Sequence, residues 1–284
     1  MRKTLGNYAY KFGVTTALKA PLGTAFPLID ADIYKSIDWL SENEFDSIEI
    51  HIPSPEMVDA PKLKEYLKKK QLEASSIGTG LAAVYEGLTL TSKDSSIRKK
   101  AVERLKAQVD LGAYLGCPII IGSMRGRIHQ DETHAIIEER MLNSLSLLMP
   151  YAEDIGVDVV IEAIDRSETN YLLTASDVLK LIELANSDRL KVHLDTFHMN
   201  IEETDWQAPV KACGDKLGHV HVADNTRAYP GSGMLDFKPF LKALCEVGYK
   251  GSLVFECFPN PDGYTACLLG REHLIKCIDE LSNA

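Results

Sequence analysis

The feature that most constrains this chain is a repeated alternation of short apolar runs with amphipathic helical patterns. Runs at residues 8–16, 47–52, 74–80, 118–122, 157–164, 191–196, 219–222 and 252–258 read as strands, many of them rich in β-branched residues. Helical patterns follow them at about 31–41, 62–71, 94–115, 131–155, 175–186, 206–217, 237–247 and 264–281. Ile97, Ala101 and Leu105 make one apolar stripe; Ile137, Met141, Leu145 and Leu148 make a second; Leu274, Ile278 and Leu281 make a third. Thr174 and Asp177 carry the spacing of a capping box. A helix between consecutive strands returns the chain to the same edge, so the strands run parallel. Eight such units in 284 residues predict an α/β fold of the (β/α)8 TIM-barrel type, as one domain over residues 1–284. The alternative is a doubly wound open sheet. It calls for a glycine-rich phosphate loop after the first strand, and neither G-x-G-x-x-G nor G-x-x-x-x-G-K-[ST] occurs there.

With 45% hydrophobic residues the chain can bury a sizeable core. Its formal net charge of -10 argues against nucleic acid and anionic membrane surfaces as partners, because phosphate binding draws on clustered Lys and Arg. No apolar run approaches the roughly 20 residues needed to span a bilayer. Residues 1–6 lead into a strand-like run rather than a long apolar one, so no secretory leader is expected. The six cysteines (117, 213, 245, 257, 267 and 277) are scattered without a C-x-x-C pair. The expectation is a cytoplasmic protein with reduced thiols.

In a barrel the residues that end the strands line one mouth, and active sites form there. Four predicted strand ends carry metal-type ligands: Glu162, Asp195, His221 and Glu256. One such residue taken alone could belong to a structural ion pair. Four on successive strands are better explained by a shared cation, because a charge at the end of an apolar run is costly to bury unpaired. Three carboxylates and one imidazole are hard ligands, suiting Mn²⁺, with Mg²⁺ or Co²⁺ as alternatives, more than a thiolate-type zinc site. By alternation His193 and His219 share the face of Asp195 and His221 but lie one layer deeper, as packed or supporting residues. His51 ends the second strand and can reach the mouth or serve the core, whereas His129, His134 and His273 read as loop or helix-surface residues.

The block Leu194-Asp195-Thr196-Phe197-His198-Met199-Asn200-Ile201-Glu202-Glu203 resembles the signature of the ketose 3-epimerases, such as D-tagatose and D-psicose 3-epimerases, within the xylose-isomerase-like barrels. Glu162-Ala163-Ile164-Asp165-Arg166-Ser167-Glu168 is similar to that family's E-x-x-N-R-x-E segment. His221, Asn225, Arg227, Pro230 and Gly231 resemble its H-x-x-x-N-x-R…P-G segment, and Glu256 falls where its last metal-binding Glu belongs. The resemblance implies that Glu162, Asp195, His221 and Glu256 bind one divalent metal, Mn²⁺ foremost. It implies that Glu162 and Glu256 exchange roles as base and acid while a cis-enediolate forms and collapses. Glu168, His198 and Arg227 would contact the substrate. Glu202 and Glu203 are expected to open a helix after the motif, since carboxylates are favoured there.

Two departures stand out. Asp165 replaces the family's Asn. After the fourth strand, Ile121-Gly122-Ser123-Met124-Arg125-Gly126-Arg127 carries an arginine pair that resembles the I-I-G-x-x-R-G-R segment of 5-keto-L-gluconate epimerases. Segments 76–80, 86–91 and 97–101 resemble those enzymes too. Guanidinium grips a carboxylate with two parallel hydrogen bonds, so Arg125 and Arg127 are expected to bind a keto-sugar acid. The competing reading pairs them with Asp131 and Glu132. The functional expectation is thus a metal-dependent 3-epimerase of a keto-sugar acid, of the 5-keto-L-gluconate/D-tagaturonate type. Alternatives are a free or phosphorylated ketose (D-tagatose, D-psicose, L-ribulose, L-xylulose 5-phosphate) or a hydroxypyruvate-type aldose–ketose isomerase. Abasic-site endonucleases share the superfamily but call for more His ligands and a basic face. The resemblance leaves a homodimer or a homotetramer open. Two Gly- and Pro-containing loops, 17–27 and 229–235, are lid candidates.

Overall fold

Eight parallel strands close on themselves in chain order. They are β1 (Lys11–Ala17), β2 (Ser47–His51), β3 (Glu73–Gly78), β4 (Ile119–Ile121), β5 (Val159–Glu162), β6 (Leu190–Asp195), β7 (Leu217–Val222) and β8 (Ser252–Phe255). The seam pairs Ser252 through Phe255 of β8 with Lys11 through Val14 of β1. This computed structural model describes residues 4–6, 8–18 and 27–283. The predicted α/β barrel is therefore the observed one, and the open-sheet alternative is excluded by the closed ladder.

Helices α1 (Ile33–Glu42), α2 (Ala60–Lys70), α4 (Ser95–Leu115), α5 (His134–Ile155), α6 (Ala175–Ala185), α8 (Gln207–Cys213), α9 (Lys238–Val247) and α10 (Gly263–Ser282) each follow one strand. Two short helices, α3 (Gly80–Glu86) and α7 (Thr196–Glu202), sit in the connections after β3 and β6. Starts are set by side-chain caps: Asp32, Asp59, Asp94, Thr133, Thr174 and Asp262 each accept from backbone N–H groups of the first turn. The Thr174–Asp177 capping box forms with both of its hydrogen bonds. The fifth helix begins at His134 rather than 131, because Thr133 is its cap. The pattern read as helical over 206–217 is interrupted: α8 ends at Cys213, and a single 3-10 turn, Gly214–Lys216, leads into β7.

The apolar layer lies between strands and helices, and the barrel lumen is polar. Ile48 and Ile50 of β2 join the hydrophobic core. Alternate residues Ser47 and Glu49 bond across the lumen, to Ser252 of β8 and to His219 and His221 of β7. Burying an aliphatic side chain contributes about 1.5–3 kcal/mol, whereas a lumen charge must be paired or it costs more than that. Among the described residues no helix is long and apolar enough to cross a membrane. All six cysteines are free thiols.

Candidate active site

The four predicted ligands converge at the C-terminal mouth. Glu162 ends β5, Asp195 ends β6, His221 lies on β7 and Glu256 directly follows β8. All four are buried, and their ligand-type atoms lie within 4.8 Å of one another. Asp195 and His221 are register partners across the β6–β7 ladder. His221 Nδ1 stands 3.4 Å from Glu256 Oε2 and 3.9 Å from Asp195 Oδ2. Asp195 is shared between structure and site. Its Oδ1 accepts from Phe197 N at 2.7 Å and caps α7, while its Oδ2 has no hydrogen-bond partner among the described residues. His221 Nδ1 is likewise unpartnered. A buried carboxylate oxygen and a buried imidazole nitrogen facing two further carboxylates are costly to leave so. The donor set fits a hard divalent cation.

The two glutamates are driven apart electrostatically. Burial raises the Glu162 carboxyl to about 7, with Glu256 and Asp195 adding to the rise against His198 and His221. Burial also opposes charge on Glu256, but His221 and Arg227 outweigh it and hold that carboxyl near 2. Pairs of titratable groups held apart in this way divide naturally into proton donor and acceptor.

One wall of the mouth is built on α7 and the loop after β5. His198 Nδ1 is 2.6 Å from Asp165 Oδ2, and its Nε2 lies 3.7 Å from Glu162 Oε1. Asp165 uses its other oxygen to accept from Ser167 N and Oγ at 2.7 and 2.5 Å. Burial opposes its ionisation, but His198 and Ser167 outweigh burial and keep it a carboxylate. Arg227 has φ 58°, a left-handed backbone uncommon outside glycine and recurrent at functional sites. Its guanidinium lies 5.0 Å over the Phe197 ring, pairs with Glu168 and reaches Glu256 Oε2 at 3.5 Å. His198, Glu168 and Arg227 thus rim the four-ligand group.

The arginine pair borders a cavity of about 400 Å³ lined in part by Thr89, Thr91, Ser123, Arg125, Arg127 and Glu168. Arg125 is buried. Its Nε donates to Gly122 O at 3.1 Å and its Nη1 to Leu172 O at 2.9 Å, while Nη2 has no partner among the described residues. Burial lowers its pKa to about 10, which leaves it charged at neutral pH. Arg127 is exposed and, among the described residues, has no ion-pair partner. The reading that paired these arginines with Asp131 and Glu132 fails: Asp131 pairs with Lys93, and Glu132 with Arg140.

Other expectations are corrected. Glu202 and Glu203 do not open a helix. α7 begins at Thr196, Glu202 is its last residue and Glu203 its C-cap. Glu202 binds Arg166, and Glu203 accepts from Ala175 N at the start of α6. His273 is half-buried against Phe237 and Cys277; His129 and His134 are exposed as expected. Lid candidate 17–27 falls mostly on 19–26, outside the described residues. The 229–235 segment is tied down: Asp224 accepts from Gly231 N at 2.8 Å and Leu235 N at 3.2 Å, and Asn225 Oδ1 from Met234 N at 3.0 Å.

One residue escaped sequence reasoning. Glu49 is buried in the lumen beneath the four ligands and accepts from His51, Ser76, His219 and His221. The signal was present in the alternation of Ser47, Glu49 and His51 along β2, which puts all three on one face. His193 and His219 are buried beneath the mouth as expected, and His51 reaches it, 3.8 Å from Glu256.

A family model described as xylose isomerase-like TIM barrel matches residues 37–269. The chain belongs to that family. Among relatives of the xylose isomerase-like barrels, it is 33% identical to a ketose 3-epimerase from Arthrobacter globiformis over 79% of this chain and 77% of the relative. It is also 33% identical to an L-ribulose 3-epimerase from Methylomonas sp. strain DH-1, over 80% and 78% of the two chains. A solved D-allulose 3-epimerase from Methylomonas sp. superposes with a TM-score of 0.78 at 26% identity, covering 98% of this chain and all of that one.

Proposed function

We propose that this chain is an isomerase: a 3-epimerase of ketose-type sugars that works with one divalent cation, Mn²⁺ foremost, held by Glu162, Asp195, His221 and Glu256. The observation that carries the reading is the group of four buried donors on successive strand ends, two of whose atoms, Asp195 Oδ2 and His221 Nδ1, have no hydrogen-bond partner among the described residues. The named activities of the relatives support it. A cation bound there would polarise the ketone and the neighbouring hydroxyl, making the carbon-bound proton more acidic.

This chain's own residues then account for the inversion. One of Glu162 and Glu256 removes the C3 proton, and the other returns a proton to the opposite face; the roles exchange with direction. His198 is positioned through Nδ1 by Asp165 and points Nε2 toward Glu162. Arg227 and Glu168 hold substrate hydroxyls at the rim, and the guanidinium favours negative charge developing on the ketone oxygen.

The substrate class we propose is a keto-sugar acid. Arg125 provides a fixed positive charge in the wall of the adjoining cavity, and Arg127 an exposed guanidinium that forms no ion pair among the described residues. A second reading, a free ketose, is favoured by the names of the relatives and by Glu168 on the same wall. A screen of keto acids, ketoses and ketose phosphates with Mn²⁺ in deuterated water tests both readings. Epimerisation should place deuterium at C3. Turnover without deuterium would exclude proton abstraction by the glutamates, and higher kcat/KM for neutral ketoses would select the second reading.

A further inference from the structure

The Glu49 carboxylate gathers donors from β2, β3 and β7. His51 Nε2 lies 2.5 Å from Oε1, His219 Nε2 2.7 Å from Oε2, and His221 Nε2 2.9 and 3.1 Å from the two oxygens. The Ser76 hydroxyl donates to Oε2. A carboxylate offers about four lone-pair sites, and these four donors take them. Each imidazole must therefore carry its hydrogen on Nε2. A neutral ring so protonated presents a lone pair at Nδ1. For His221, Nδ1 is the atom aimed at Asp195 and Glu256, and it has no hydrogen-bond partner among the described residues. His193 packs edge-to-face against the His221 ring, with centroids 4.1 Å apart and planes at 84°.

We propose that Glu49 is the positioning residue of this site: it fixes His221 as the Nε2–H tautomer with Nδ1 toward the other three ligands, and so sets the affinity of the group for a divalent cation. The proposal rests on the reading that Glu162, Asp195, His221 and Glu256 hold that cation. A carboxylate behind a ligating imidazole orients the ring and makes it a better donor, and losing one typically weakens metal binding roughly 10–100-fold. Glu49→Gln keeps the shape but exchanges an acceptor oxygen for an amide NH₂ that cannot accept from an Nε2–H.

The test titrates EDTA-stripped wild type, Glu49→Gln and His221→Ala with Mn²⁺, counting free Mn²⁺ by electron paramagnetic resonance. Wild type should bind one ion, Glu49→Gln should bind it roughly 10–100-fold more weakly, and His221→Ala should lose the site. If wild type binds none, or His221→Ala binds like wild type, the ligand reading itself falls. If His221→Ala loses binding while Glu49→Gln matches wild type, the ligand reading stands and the role of Glu49 is overturned. A second measurement needs no variant. In the Mg²⁺-loaded, ¹⁵N-histidine-labelled wild type, long-range ¹H–¹⁵N correlation should show His221 protonated at Nε2 and bare at Nδ1. A hydrogen on Nδ1 overturns the proposal even if Glu49→Gln fails to fold.

Discussion

Asp165 stands where the ketose 3-epimerases carry Asn, and its contacts say what either residue must do. One oxygen faces His198 Nδ1 at 2.6 Å and the other takes two donors from Ser167. An amide oxygen can still accept from Nδ1–H, so Asp165→Asn should leave kcat/KM within about tenfold of wild type. Asp165→Ala leaves a buried imidazole donor unpaired, a cost of about 1–3 kcal/mol. It should lower kcat/KM roughly 10–100-fold, and equal losses in the two variants would show that the anionic charge, not the acceptor, is what matters. Arg127 allows a cleaner separation of binding from chemistry. It is exposed on the wall of a cavity whose lining includes none of the four candidate ligands. Hydrogen bonds to a charged partner contribute about 1.5–3 kcal/mol, so Arg127→Ala should raise KM for a keto acid roughly 10–100-fold. KM for a neutral ketose should hardly move. Equal effects on the two substrates would remove Arg127 from carboxylate recognition.

At the scale of elements, the barrel seam is held where α10 begins. A Cβ on Gly263 would lie 1.4 Å from the carbonyl oxygen of Leu28 and 2.6 Å from its carbon. The same stretch is bound to the end of β1: Leu28 N donates to Thr15 O, and Thr16 Oγ1 to Asp30 O at 2.8 Å. Backbone cannot yield as a flexible side chain does, so Gly263→Ala must shift the start of α10 or residues 28–30. Overpacking of this kind costs about 1–3 kcal/mol; chemical denaturation should record that loss, and an unchanged midpoint would show that the contact relaxes at no cost. Strands and long helices were legible in the sequence because their periods persist over many residues. α7 was not: it has seven residues, follows β6 without a loop, and takes its cap from the metal-type ligand Asp195. The carboxylate at Glu203 does serve a helix N-terminus, but that of α6, a pairing that only the closed barrel creates. Glu49 was hidden for the same reason. A lone acid between isoleucines reads as the exposed face of a strand until closure brings β7 across the lumen from it.

For the molecule as a whole, the four candidate ligands gather at the ends of β5, β6, β7 and β8, half of the closed sheet. Three carboxylates share that space with one imidazole, and burial already resists ionisation of Glu162. A cation that binds only the folded barrel therefore stabilises it in proportion to its occupancy: at a hundredfold excess over Kd the gain is about 2.7 kcal/mol. For large domains each kcal/mol moves the melting point by roughly 2–4 °C, so adding Mn²⁺ to EDTA-stripped protein should raise Tm by roughly 5–10 °C. His221→Ala should melt at the same temperature with and without Mn²⁺, which separates binding at this group from weak association with a surface whose formal net charge is -10. A rise of equal size in that variant would place the stabilising ion elsewhere and remove the strongest physical support for the four-ligand reading.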